Sequence, residues 1–343
     1  MMDKFDDRVL AAMAEARARI AELPRVRFAL LPTPMEEARQ LARRIAGPRI
    51  FVKRDDLTGI AFGGNKTRNL EFRLARTIAE GADTVIVGLD LQSNSARQTI
   101  GACNKLGLKV HLVLEGARPN VVQGNLLVDY LLGATVHFAA DAAEQRTILD
   151  RLAGEVRGAG GKPHILNDNP MFDIASAVAY IESTFECLEQ LAADGVRPTA
   201  FYMSSSGKGA AGLMLAQKIT GLPFRVHCVS ATSEYDLPKR TAGIANSTAE
   251  HLGLDMRVTP EEVVNFANFV GERYGVPTSA GNEAVKLFAE TEGLILDPVY
   301  TGKAAAGMLA HIRDGMFGAD DVLVFVHTGG SPAIFTHAQY WTP

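Results

Sequence analysis

Apolar residues along the chain alternate between two spacings. Between residues 82 and 160, short β-branched runs are followed by longer stretches with apolar positions every three or four residues. ADTVIVGL (82–89), KVHLVLEG (109–116) and ATVHFA (134–139) read as buried parallel strands. SNSARQTIGACNKLG (93–107), VVQGNLLVDYLLG (121–133) and AAEQRTILDRLAGEVRGAG (142–160) read as the helices between them, the first two stopped by Gly107 and Gly133. This βαβαβα order predicts a compact parallel sheet covered by helices. Val9, Leu10, Met13, Ile20 and Leu23 suit a surface helix near the start.

The alternation breaks at GGKPHILNDNPMF (160–172), where prolines, a glycine pair and polar residues suit a crossing between domains. It then resumes. Residues 175–195 predict a long helix, 199–206 a strand running into a glycine-rich turn, 210–221 a helix and 224–232 another strand. DVLVFVHTGG (321–330) predicts a very apolar strand closing on two glycines. Both halves read as α/β, and a cleft between two such domains is a natural ligand site.

Composition narrows the function classes. At 343 residues the chain predicts two domains, and 47% hydrophobic with 22% charged residues is ordinary globular usage. A net charge of -4 argues against a nucleic-acid partner, which needs a concentrated basic field. Cys103, Cys187 and Cys228 form no CxxC and no zinc spacing, so neither a disulfide framework nor a structural metal is expected, and a reducing compartment fits. No apolar run reaches the ~18 residues of a membrane span. The first residues lack an apolar signal core, so a cytoplasmic location is expected.

Three glycine-rich loops carry candidate chemistry. In KRDDLTGIAFGGNKTRNLEF (53–72), Gly63 and Gly64 allow a tight turn and Lys66 opens a helical stretch. Asn65 stands between Gly64 and Lys66, which breaks the P-loop spacing. On position alone, Lys66 also suits a solvated helix start. In SSSGKGAAG (204–212), Gly207, Gly209 and Gly212 complete a GxGxxG between strand and helix, with Glu234 placed 22 residues further on. That pattern supports an NAD(P)-dependent oxidoreductase, although a helix N-terminus holds any phosphate. HTGGSPAIF (327–335) puts His327 and Thr328 at the carboxyl end of a strand, where α/β sheets place ligand contacts.

GGNKTRNLE around Lys66, QSNSARQ (92–98), DPVYTGK (297–303) and HTGGSPA (327–333) together resemble the fold-type II pyridoxal-phosphate enzymes. The resemblance is nearest to the branch holding 1-aminocyclopropane-1-carboxylate deaminase, D-cysteine desulfhydrase and L-cysteate sulfo-lyase. It runs from LLPTP (30–34) to the end, in the family's order. It implies a tryptophan synthase β-subunit-like fold of two parallel-sheet domains with pyridoxal 5'-phosphate in the cleft. The larger, cofactor-binding domain would comprise residues 1–67 and 179–343, and the smaller, 68–178, would carry the substrate-carboxylate loop.

The resemblance also implies roles. Lys66 would hold the cofactor covalently and move the Cα proton. Asn94 would hydrogen-bond the cofactor's 3'-oxygen. Ser93, with the N–H groups of Asn94 and Ser95, would take the substrate carboxylate, and SNS equally suits a helix N-cap. Ser205, Ser206, Gly207, Lys208, Gly209 and Ala210 would hold the phosphate, and Thr328 would sit by the pyridine nitrogen. Tyr300 and Tyr274 would line the substrate side, Tyr274 being as readily a core or surface tyrosine. The implied activity is α,β-elimination from a small β-substituted amino acid by a homodimer, without a metal. 1-Aminocyclopropane-1-carboxylate deamination is the alternative. Against it, the deaminase branch carries Glu where this chain has Thr301, placed here near the ring nitrogen. Lys208-Gly209 and the segment 166–176 also depart from the family pattern.

Overall fold

The computed structural model describes residues 6–169, 171–234 and 236–341; Pro170, within the 166–176 segment, lies outside that description. The chain divides into two compact units. One comprises Met1–Leu23, Leu31–Leu57 and Ser176–Ser331, the other Pro24–Leu30, Thr58–Ala175 and Pro332–Pro343. Ten strands are present among the described residues: β1 (Met35–Glu37), β2 (Arg49–Lys53), β3 (Thr84–Asp90), β4 (Lys109–Glu115), β5 (Thr135–Ala139), β6 (Pro163–Ile165), β7 (Ala200–Ser205), β8 (Arg225–Ser230), β9 (Val264–Phe266) and β10 (Val322–Val326).

The larger unit holds a six-stranded sheet in the order β1-β2-β10-β7-β8-β9. All pairings are parallel except the edge pair β1–β2. β10 lies between β2 and β7, and all five of its residues are buried, so a continuous VLVFV run with no polar alternation is what its position demands. The helix Asp7–Ala21 buries Val9, Met13, Ala16 and Ile20, a stripe at helical spacing, while Leu10 stays exposed.

The smaller unit holds the parallel sheet β5-β4-β3-β6. Alternation along β3 and β4 divides its core. Val85, Val87, Leu112 and Leu114 pack with Leu70, Leu74, Ile100 and Cys103. Ile86 and Val113 pack with Leu149, Leu152 and Ala153 of the helix Ala142–Gly158. The segment expected to be a plain crossing supplies β6, which pairs in parallel with β3 at the sheet edge. Its leading proline is tolerated because it opens an edge strand. Residues 58–67, expected with the larger domain, group with the smaller unit, because Thr58 and the turn before Lys66 bond to each other and to Arg97 and Gln98.

Candidate active site

In the smaller unit, Lys66 is half-buried and opens the helix Lys66–Ala79. The turn before it is unusual. Ala61, Phe62, Gly63 and Gly64 all have positive φ, at 45°, 65°, 64° and 128°. L-residues avoid that region, so surrounding bonds must hold Ala61 and Phe62 there. Thr58 Oγ1 accepts from Gly64 N and donates to Gly64 O, both at 2.8 Å. A Cβ on Gly64 would lie 2.6 Å from Gln98 Nε2, so glycine is also required sterically. Gln98 Oε1 accepts from Thr67 N at 3.0 Å and Thr67 Oγ1 at 3.1 Å, while its Nε2 donates to Asn94 O at 3.0 Å. Gln98 therefore ties the lysine turn to the SNS loop.

Ser93 ends the turn after β3 and caps the helix Asn94–Lys105, its Oγ accepting from Ser95 N at 3.2 Å. Asn94 and Ser95 are half-buried. The Asn94 side chain is oriented: its Oδ1 accepts from Asn125 Nδ2 at 2.9 Å. That leaves the Asn94 amide nitrogen on the other side, as a donor suited to an anionic oxygen.

In the larger unit, β7 ends at Ser205, whose Oγ accepts from Gly207 N at 2.9 Å. Gly207 has φ +101° and precedes the helix Lys208–Thr220. The first intrahelical bond runs from Ala211 N to Gly207 O at 3.0 Å, which leaves the N–H groups of Gly209 and Ala210 without intrahelical acceptors. A Cβ on Gly207 would come 3.3 Å from Thr241 Oγ1, a buried hydroxyl with no hydrogen-bond partner. A positive-φ turn, a helix N-terminus and an orphan hydroxyl together suit a phosphate. Gly212 serves packing: a Cβ there would meet Ala177 O at 2.3 Å. Ser206 and Glu234 are exposed, and Lys208 is half-buried.

After β10, His327 N donates to Lys53 O at 2.9 Å, and Gly329 and Gly330 have φ of 92° and 100°. Thr328, between His327 and Gly329, is half-buried. Burial pushes the His327 imidazole below its ordinary pKa, against the pull of Asp56. A Cβ on Gly330 would lie 2.7 Å from Asp297 Cγ. Asp297 is fully buried and accepts from Tyr300 N at 2.9 Å, Thr301 N at 2.8 Å and Thr301 Oγ1 at 2.9 Å. Burial raises its pKa, and the bonds from Thr301 and Tyr300 oppose that.

Thr301, expected near the ring nitrogen, bonds to Asp297. It is fully buried, and its hydroxyl also accepts from Asp297 N at 2.8 Å. An aspartate four residues ahead of a threonine closes the turn on itself, so the hydroxyl is spent inside the fold. The Tyr274 and Tyr300 hydroxyls are hydrogen-bonded to each other, with ring centroids 5.9 Å apart. Tyr274 is half-buried.

Several residues at these loops escaped the sequence reading. Arg97 and Gln98 stand inside QSNSARQ with no role assigned. Asn125 was visible only as an asparagine on the buried stripe of a helix, and Thr241 gave no signal. Asp297 stands in DPVYTGK, but the pattern does not say that its carboxylate binds the two residues after the valine.

Comparison with known proteins now bears on this arrangement. The family described as pyridoxal-phosphate dependent enzyme matches residues 26–329. The chain is 35% identical over 326 residues to a D-cysteine desulfhydrase of Klebsiella pneumoniae subsp. pneumoniae, covering 93% of this chain and 97% of that protein. A crystal structure of an ACC deaminase homologue superposes with a TM-score of 0.83 at 30% identity, over 95% of this chain and 97% of the other. A processed threonine deaminase isoform 2 from Solanum lycopersicum shares the fold, with a TM-score of 0.62 at 16% identity over 95% of this chain and 85% of the other. The oxidoreductase reading of residues 207–212 gives way to this match, since a phosphate-holding loop is common to both classes. With a family match over residues 26–329 and relatives alike over most of its length, the chain belongs to the pyridoxal-phosphate-dependent enzymes of fold type II.

Proposed function

We propose that this enzyme is a lyase that eliminates the β-substituent and the amino group of a small amino acid, giving a 2-oxo acid and ammonia, with D-cysteine as the leading substrate. The observation that carries the choice is Thr301. Where the deaminase branch has a glutamate, this chain has a buried hydroxyl tied to Asp297. Without a glutamate there, full protonation of the pyridine is less favoured, and a substrate with a good β-leaving group is the better match. The relative named D-cysteine desulfhydrase supports the same reading.

The residues present fit the cofactor. The turn at Gly207, the first N–H groups of the helix Lys208–Thr220 and the orphan Thr241 hydroxyl suit its phosphate. When bound, pyridoxal phosphate supplies an electron sink for charge developing at the substrate Cα. Lys66 Nζ would hold the cofactor and, when free, would take the proton from the substrate Cα. Asn94 would donate to the cofactor's 3'-oxygen. Ser93 Oγ and the N–H groups of Asn94 and Ser95 orient the substrate carboxylate, which displaces the long 3.2 Å cap bond. Residues 205–210 would anchor the phosphate, with Lys208 adding charge, and Thr328 would give the ring nitrogen a neutral partner. Tyr300, its hydroxyl fixed by Tyr274, holds a proton for the departing β-group.

A homodimer in the cytoplasm completes the proposal. Cys103, Cys187 and Cys228 are free and buried, as a reducing compartment allows. Val121, Leu127 and Leu131 leave an exposed apolar face that suits self-association. Among the described residues, no helix is long and apolar enough to cross a membrane. The test is a scan of D- and L-cysteine, cysteate and 1-aminocyclopropane-1-carboxylate for release of 2-oxo acid and ammonia. Release from D-cysteine with sulfide is the expected result. Racemisation without ammonia release would overturn the proposal.

A further inference from the structure

We infer that Arg97 and Asn125 are positioning residues, which hold the turn before Lys66 and the amide of Asn94 in one fixed arrangement toward the cofactor. Both side chains are 0% exposed, and they are linked, Arg97 Nε donating to Asn125 Oδ1 at 2.8 Å. On one side, Arg97 Nη1 donates to the carbonyls of Ala61 and of Gly63, the latter at 2.8 Å. These carbonyls belong to the run of four positive-φ residues. L-residues are disfavoured in that region, so the turn needs an external hold. A guanidinium fork supplies it where a lysine's point charge cannot.

On the other side, Asn125 Nδ2 donates to Asn94 Oδ1 at 2.9 Å and to Gln92 O at 2.8 Å, and Gln92 Oε1 accepts from Asn125 N at 2.9 Å. Arg97 Nη2 also lies 3.5 Å from Asn94 Oδ1. Every group facing Asn94 from this side is a donor. The Asn94 amide therefore has its oxygen inward and its nitrogen outward. Reversing it would set donor against donor inside a buried network. The chain of bonds Gly63–Arg97–Asn125–Asn94 thus fixes both the path into Lys66 and the polarity of Asn94.

The inference rests on the proposed roles of Lys66 and Asn94, and its test separates the two. Asn125→Asp keeps an acceptor for Arg97 but removes the donor to Asn94, so the Asn94 amide should reverse and present its oxygen outward. Pyridoxal phosphate is titrated into cofactor-stripped wild type, Asn125→Asp, Asn94→Ala and the double variant, and the pH dependence of the visible band is recorded. The expected result is a Kd raised on the order of tenfold in Asn125→Asp, the usual consequence of losing a charge-assisted hydrogen bond. The pH midpoint of the band should rise, because the oxygen anion loses a donor. Asn125→Asp should add no further change in the Asn94→Ala background. An unchanged band and Kd in Asn125→Asp, or equal effects with and without Asn94, would overturn the inference. Loss of cofactor from Lys66 in wild type would instead overturn the functional reading. If Asn125→Asp does not accumulate folded, Arg97→Lys is read in the same cycle. It should raise Kd and speed amide exchange over residues 61–64, and wild-type values for both would overturn the inference.

Discussion

Substituting Gly212 by alanine tests how the glycine loop proposed to take the phosphate is held. A methyl carbon there would sit 2.3 Å from Ala177 O, 2.6 Å from Tyr180 Cβ and 3.0 Å from Ile181 N. The first and last are backbone atoms of the helix Ile174–Ala193, so no side-chain rotation relieves them. Normal contact requires the helices Ile174–Ala193 and Lys208–Thr220 to part by about 1 Å. Over-packing of this kind costs roughly 1–3 kcal/mol, with a backbone clash toward the upper end. At about 1.4 °C per kcal/mol for a chain of 343 residues, Tm should fall by roughly 3–4 °C. The displaced helix start carries Gly207 and Gly209, so affinity for pyridoxal phosphate should fall at least about tenfold. Gly243→Ala is the control. It lies within the helix Leu237–His251 with nothing within 4 Å of the new carbon. There the same change should stabilise by about 0.5–1 kcal/mol through helix propensity. Thermal melts and cofactor titrations of both variants decide the matter. A Gly212→Ala protein that melts and binds like wild type would refute the packing argument.

Two further outcomes follow from named groups. Asp129 is fully buried with neither oxygen hydrogen-bonded, and burial pushes its pKa up to about 8 from 3.8, against the attraction of Arg97. Between those values the folded chain holds a proton that the unfolded chain has released, so stability falls as pH rises, by up to about 1.4 kcal/mol per pH unit. Asp129→Asn should lose this slope in urea unfolding compared across about pH 5 to 7.5, and equal slopes would exclude the argument. Turnover of D-cysteine should exceed that of 1-aminocyclopropane-1-carboxylate by at least about a hundredfold, roughly 2.7 kcal/mol of barrier. Parity between the two substrates would return the deaminase reading.

What the sequence revealed follows physical lines. β3, β4, β7 and β10 were legible because buried parallel strands need unbroken β-branched runs, and the glycines after them mark where helices begin or stop. β6 and β9 were not. Each is three residues long, too short for any period, and β6 opens on a proline. The glycines beside Lys66 were visible as a turn, yet nothing local says that Ala61 and Phe62 share its left-handed backbone. That is imposed by Arg97 from 34 and 36 residues away. For Thr301 the motif gives order and not the partner of its hydroxyl. Its hydroxyl turns back to Asp297 instead of outward. The Tyr274–Tyr300 pair spans 26 residues with no periodic signal, and only the fold brings the two hydroxyls together.

The central claim is that Lys66 is the cofactor lysine, and borohydride reduction of the purified holoenzyme followed by peptide mapping tests it most directly. The account predicts a single pyridoxyl label on the peptide containing Asn65-Lys66-Thr67, and no label at that site in Lys66→Ala, which keeps its phosphate loop. A label on Lys208 or Lys303, or none in wild type, would contradict it.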